Sequence, residues 1–216
     1  MKNIPTEYKV LAAIGIIVVI GGFLLFKYGS NEPVSETLVD RPSAYSKGGQ
    51  EAKVILTEFA DFQCPACASS QSMLTRLTSE YGADLKLVFR HFPLVGHPLA
   101  QVSAEAAEAA GAQGKFWQMH DALYKNQNEW GNTSKSLSEK EAIELFKKYG
   151  RDIGLDDAKF TQDMEQNAYR TNITGDMDSG GRAGVNATPT FFINGVKTKD
   201  PSYQTLKEMI DKALAQ

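Results

Sequence analysis

The amino-acid sequence predicts an α/β fold, and three observations predict it. A branched and aromatic run over residues 53–59 gives way to a helical pattern and then to a second such run over residues 85–92, the mark of a strand–helix–strand unit. Apolar residues at helical spacing then occupy a long stretch, from about residue 98 to residue 183. Near the C-terminus Asn194-Gly195 separates two β-prone runs and predicts a tight hairpin, after which residues 203–214 return to a helical pattern. Parallel strands joined by a crossover helix are right-handed in nearly all sheets, so the first unit sets the hand of the domain.

Length and charge bound the rest. The 216 residues, hydrophobic content of 42% and formal net charge of −3 suit one domain with room for an appendage. The near-neutral balance and the lack of a long basic run argue against nucleic acid as a partner. Val10 to Phe26 contains no charged or strongly polar side chain, and Lys9 and Lys27 bracket it. A spanning helix needs ~17–25 apolar residues, and this run is apolar on every face, unlike a helix at a soluble core. A cleavable signal peptide is the competing reading. Its apolar region usually runs ~7–15 residues and ends at a small-x-small site, whereas here the run closes with Phe23-Leu24-Leu25-Phe26-Lys27-Tyr28. Lys2 and Lys9 precede the run, and Glu32, Glu36 and Asp40 follow it. Positive-inside bias therefore leaves the N-terminus in the cytoplasm and exports the remainder, as a single-pass protein of the cell membrane. The expected division is a cytoplasmic N-terminus and transmembrane anchor (1–28, with 10–26 in the membrane), a tether (29–51) rich in Pro, Gly and Ser, and a domain (52–216) with its helical insertion at about 98–183.

Within the domain each element has its own signal. Lys53-Val54-Ile55-Leu56-Thr57-Glu58-Phe59 is strand-like. Cys64 then falls where a helix N-cap belongs, with Pro65 at the first helical position, where the missing N–H costs nothing. That helix runs through Met73, Leu74 and Leu77 to about Tyr81, and Gly82 can end it. The stretch 85–92 is the second strand. Phe116, Met119, His120, Leu123 and Tyr124 form one helical stripe. Ser138 with Glu141 makes a capping box, followed by Ala142, Leu145, Phe146 and Tyr149 on one face and Gly150 as a stop.

Cys64 and Cys67 are the only cysteines. A bridge between them would close too short a loop to constrain much unfolded chain, so stapling the fold explains it poorly and redox exchange explains it better. Export places the pair where disulfides persist. A free cysteine titrates near ~8.5, and a helix N-terminus or a Cys-x-x-Cys setting lowers this to ~3.5–7.5. The N–H groups of residues 66 and 67 and the helix dipole all aim at Cys64, which makes it the attacking sulfur. Cys67, one turn inside the helix, is the resolving thiol. No metal or other cofactor is expected: there is no second cysteine pair, and His91, His97 and His120 lack ligand spacing. His120 reads as a core histidine and Trp117 and Trp130 as packing residues. Phe62, beside the cysteines, is a candidate for lining a substrate groove.

These segments together resemble the DsbA-like branch of the thioredoxin superfamily, exported thiol–disulfide oxidoreductases, over about residues 52–214. Three features carry the resemblance: Cys64-Pro65-Ala66-Cys67 opening a helix after a strand, Gly114-Lys115-Phe116-Trp117-Gln118-Met119-His120-Asp121-Ala122-Leu123-Tyr124, and Gly184-Val185-Asn186-Ala187-Thr188-Pro189-Thr190-Phe191-Phe192-Ile193-Asn194-Gly195. The resemblance implies a thioredoxin fold with an inserted helical domain. It implies that Glu58 is the buried acid accepting a proton from Cys67, with a strand-edge carboxylate facing water as the plain reading and Asp61 as a weaker candidate for the role. It also implies that Thr188-Pro189 is a cis-proline loop that offers backbone hydrogen bonds to a substrate strand. Pro65 and Ala66 tune the pair. Ala66 departs from the histidine of the best-studied oxidases of this branch, which bears on how oxidising the pair is. The implied activity is disulfide introduction into exported proteins, reduced or misoxidised, with a membrane redox partner regenerating the pair and the protein acting as a monomer. A reductase or isomerase on the same fold, and a non-catalytic exported chaperone or assembly factor, are the alternatives.

Overall fold

A computed structural model describes residues 34–35, 45–131 and 137–216. Five strands form one mixed sheet in the order β1-β3-β2-β4-β5. They are β1 (Tyr45–Gly48), β2 (Val54–Ala60), β3 (Leu85–His91), β4 (Thr190–Ile193) and β5 (Val196–Lys197). Only β2 and β3 are parallel, with Glu58 opposite Phe89, and α1 (Pro65–Tyr81) crosses between them. Between β3 and β4 lies the helical insert: α2 (Ala100–Gly111), α3 (Phe116–Lys125), the short α4 (Gln127–Trp130), α5 (Glu139–Asp152), α6 (Asp157–Glu165) and α7 (Arg170–Arg182). The closing helix is α8 (Tyr203–Leu214).

Strand alternation divides the core. Val54, Leu56, Leu85, Leu87, Phe191 and Ile193 pack against Leu74 and Leu77 of α1 and Leu206 and Ile210 of α8. Further along the same face, Ala60 and Phe89 join Phe62, Cys67 and the buried stripes of the insert in one continuous cluster. On the opposite face Phe59 and Phe192 meet Ala183 and Val185. There α7 approaches so closely that a Cβ at Gly180 would lie 2.8 Å from the Phe59 ring.

Local signals account for the punctuation. Asn194 and Gly195 both have positive φ, the geometry of a two-residue hairpin turn, and the Asn194 side chain ties back to β2 by accepting from the Ile55 N–H at 2.7 Å. Ser138 and Glu141 form the reciprocal capping box at the start of α5. Two expectations need correcting. Tyr45–Gly48, assigned to the tether, is an edge strand paired antiparallel with β3, because Tyr45 stacks on Phe116 with ring centroids 3.7 Å apart and Trp117 Nε1 donates to the Ser46 carbonyl. Phe62, offered as a groove residue, is buried, stacked on Phe89 and packed against Tyr124 and His120, because the turn after β2 folds it into the insert. The apolar run Val10–Phe26 lies outside the described residues, among which no helix is long and apolar enough to cross a membrane.

Candidate active site

The site is built where β2 hands over to α1. After Ala60 the chain turns through Asp61, whose backbone carbonyl accepts from the Cys64 N–H at 3.1 Å. The buried Asp61 carboxylate accepts from the N–H groups of Gln63 and Leu94 and sits 2.6 Å from His97 Nδ1. It therefore braces the turn. Cys64 is the N-cap, with extended backbone (φ −72°, ψ 120°), and Pro65 opens α1. Pro65 and Ala66 are exposed, whereas Cys67 is wholly buried.

Both cysteines are free thiols, and their environments drive them apart. Cys64 is lowered from 9 to about 5: the hydrogen bond from the Cys67 thiol is the largest cause, burial opposes it, and Thr188 and the N–H groups of Cys67 and Ala66 add to the lowering. Burial pushes the Cys67 thiol far up, and the neighbouring Cys64 and Glu58 push it further. Cys64 Sγ lies 3.4 Å from the Thr188 carbonyl oxygen, and the Thr188–Pro189 peptide bond is cis. The loop before β4 thus lies directly against the first sulfur.

Glu58 is buried on β2 behind the pair. Burial raises it from 4.5 to about 8, against hydrogen bonds from Gln71 and Ser70 and the more distant charge of Lys47. Ser70 Oγ lies 3.2 Å and Gln71 Nε2 3.4 Å from Glu58 Oε1, and both side chains also donate to the Cys67 carbonyl. Ser70 and Gln71 escaped the sequence reading, although their i+3 and i+4 offsets from Cys67 put them on its helical face. Of the remaining candidates, His120 is buried in the aromatic cluster with Nδ1 on Asp121, and burial lowers its pKa. Trp130 is buried, and Trp117 is held by Ser46. Among the described residues no cluster of three or more His, Cys, Asp or Glu could hold a metal.

A family model described as thioredoxin matches residues 41–212. The chain belongs to the thioredoxin family. Its architecture is that of DsbA-like thiol–disulfide oxidoreductases, with the helical insert between β3 and β4 and a Cys-x-x-Cys pair opening α1. It is similar to a thioredoxin-like oxidoreductase from Silicibacter pomeroyi (TM-score 0.69, 25% identity, 85% of this chain and 99% of that one). DsbA2 of Pseudomonas aeruginosa is also similar (TM-score 0.62, 27% identity, 80% of this chain and 96% of that one). Alpha-DsbA1 of Wolbachia pipientis shares the fold (TM-score 0.71, 20% identity, 83% of this chain and 95% of that one). Among curated proteins, the Na(+)/H(+) antiporter NhaA 3 of Salinispora tropica is 34% identical over 80% of this chain and 25% of its own length. The chain thus spans about a quarter of the length of the curated relatives it matches first.

Proposed function

We propose that this thioredoxin-family chain is a membrane-anchored oxidoreductase that introduces disulfides into extracytoplasmic proteins. The observation that carries the reading is the asymmetry of the pair: a low-pKa sulfur at the helix start and a buried, high-pKa sulfur one turn inside, backed by a carboxyl group that titrates near 8. In the oxidised enzyme a substrate thiolate attacks Cys64 Sγ. The Cys64–Cys67 bond breaks, and Cys67 leaves with the electron pair and takes a proton from Glu58. A second substrate thiolate then attacks the substrate sulfur of the mixed disulfide and expels Cys64 as a thiolate. Two electrons and one net disulfide have changed hands. A membrane redox partner withdraws the electrons again.

Stabilisation of the Cys64 thiolate favours the reduced enzyme over its disulfide, which is the thermodynamic meaning of an oxidising pair. The Thr188 carbonyl beside Cys64 supports the Thr188-Pro189 loop as the seat of the substrate strand. The uncharged run Val10–Phe26 supports the anchor. So do the relatives named as antiporters, in which a region like this one is covalently part of a longer polypeptide bearing a transporter's name. Cys67→Ser should trap protein substrates as mixed disulfides on Cys64, whereas Cys64→Ser should trap almost none. Equal trapping by both variants on non-reducing gels would contradict the assigned roles, and failure of the wild type to reoxidise a reduced, unfolded test protein would contradict the direction.

A further inference from the structure

Gln127 makes contacts that the thiol chemistry above leaves unused. It is the first residue of α4, and its Nε2 donates to two backbone carbonyls of the active-site turn, Phe62 O at 2.7 Å and Cys64 O at 3.0 Å. The Phe62 carbonyl lies past the end of the β2 ladder, and the Cys64 carbonyl already accepts the first helical bond from the Ala68 N–H at 3.2 Å, so Gln127 adds a second donor there from outside the helix. A second glutamine crosses the other way. Gln63 accepts from the Leu99 N–H at 2.7 Å and donates to the Gly131 carbonyl at 3.3 Å. Glycine at 131 is what leaves room for the first contact: a Cβ there would lie 2.7 Å from Gln127 Cγ and 3.5 Å from its Cδ.

We propose that Gln127, reaching from the insert onto the Phe62 and Cys64 carbonyls, is a positioning residue that holds Cys64 in line with the start of α1 and so sets how oxidising the pair is. The aim of the Ala66 and Cys67 N–H groups at Cys64 Sγ depends on the backbone angles of Cys64, and a side-chain donor on its carbonyl, beside the Ala68 N–H, holds them from the insert. The same amide offsets the negative end of the carbonyl dipole carried by the residue that bears the thiolate. Both effects favour the anion. The inference rests on Cys64 being the attacking thiol.

Gln127→Met keeps the length and packing of the side chain and removes the donor. One lost hydrogen bond to this turn should raise the Cys64 pKa, read by thiolate absorbance against pH, by roughly half to one unit. The reduction potential from glutathione titration should fall with it. Gly131→Ala reaches the same contact from the other side, by displacing the amide while the glutamine remains, and should reproduce the rise. The double variant should shift no further than either single one, since both remove one contact. Gln63→Met removes side-chain contacts to Leu99 and Gly131 but none to the Phe62 or Cys64 carbonyls and serves as the control: it should lower the unfolding midpoint with a smaller change in the Cys64 pKa. Folded Gln127→Met and Gly131→Ala proteins that both keep the wild-type pKa and potential overturn the proposal, as does Gln63→Met moving the pKa as far as they do. A wild-type Cys64 that titrates at an ordinary thiol value overturns instead the reading of the pair beneath it.

Discussion

Glu58 and Cys64 are displaced in opposite senses, and the pH dependence of stability follows from the pair. Glu58 rises from 4.5 to about 8, so between those values the native protein holds a proton that the unfolded chain has released, and stability falls as pH rises, levelling off above about 8. Cys64 drops from 9 to about 5, so between those values the unfolded chain holds the extra proton, and stability of the reduced protein rises with pH. The two slopes oppose one another from about pH 5 to 8. Buried His120, held below its ordinary 6.5, adds a rise with pH below that value. From about pH 6.5 to 8 the reduced protein should therefore show nearly level stability, while the oxidised protein, which has no Cys64 thiol to titrate, should lose stability. Urea unfolding of both forms at several pH values measures this directly. Glu58→Gln keeps the shape of the side chain and a hydrogen-bonding oxygen for Ser70 but cannot exchange a proton. The oxidised variant should lose the downward slope, and exchange through Cys67 should slow by roughly 10²-fold, a typical contribution of a positioned acid–base group. Retention of the slope in oxidised Glu58→Gln would assign it to a different group.

At the scale of elements, legibility followed the range of the interaction. The β2–α1–β3 unit, the Asn194-Gly195 hairpin, the Ser138–Glu141 cap and α8 were readable because each is specified by residues within a few positions of one another. The closeness of Cys64, Cys67, Glu58 and Thr188-Pro189 in the fold was readable because their segments carry family patterns. The β1 strand was not readable. Tyr-Ser-Lys-Gly offers a single large apolar residue and no alternation, and what makes it a strand lies far along the chain: Phe116 under the Tyr45 ring, Trp117 on the Ser46 carbonyl, and Glu108 Oε2 at 3.2 Å from the Tyr45 hydroxyl. Phe62 failed for the same reason, since nothing near it in sequence reveals the aromatic cluster that takes it inward. Gln127 is a further case, 63 positions from the cysteine whose carbonyl it holds. The β1 account has a consequence. Tyr45→Ala removes a stacked ring at the junction of sheet and insert and should cost about 2–3 kcal/mol, against about 1 kcal/mol for Tyr45→Phe, which loses only the hydroxyl contact. Denaturant midpoints at constant slope measure both, and a neutral Tyr45→Ala would return Tyr45–Gly48 to the status of a tether.

Across the whole molecule, the sheet and the insert are joined by buried polar groups as well as by the aromatic core. On the face opposite α1, Arg90 Nε lies 2.8 Å from Asp176 Oδ1, both nearly fully buried, and Ser179 completes the contact from the next turn of α7. Asp176 Oδ2 also accepts from the His91 N–H at 3.0 Å, so one carboxylate on α7 holds both the side chain and the backbone of β3. His91 in turn places Nε2 3.2 Å from Glu108 Oε1 on α2, while Asn172 donates to Glu108 Oε2 from α7. Burial alone would raise Glu108, but the imidazole beside it and the Asn172 amide outweigh burial and hold it below its ordinary value. That contribution is present above the unfolded carboxylate range and is lost as pH falls through the folded value, so the junction weakens in acid. Breaking a buried pair costs more than the pair is worth, because the surviving charge stays in the interior. Asp176→Leu should thus destabilise by about 3–5 kcal/mol. Arg90→Met combined with Asp176→Leu should recover most of that loss but not all, since the His91 N–H loses its acceptor in either case, at about 1–3 kcal/mol. The Arg90–Asp176 pair lies across the sheet from Cys64, on the Phe59 face, so the folded double variant should keep the wild-type thiolate titration. A double variant as unstable as Asp176→Leu alone would show that the buried charges are individually required, and a shifted Cys64 titration would show that the two faces of the sheet are coupled.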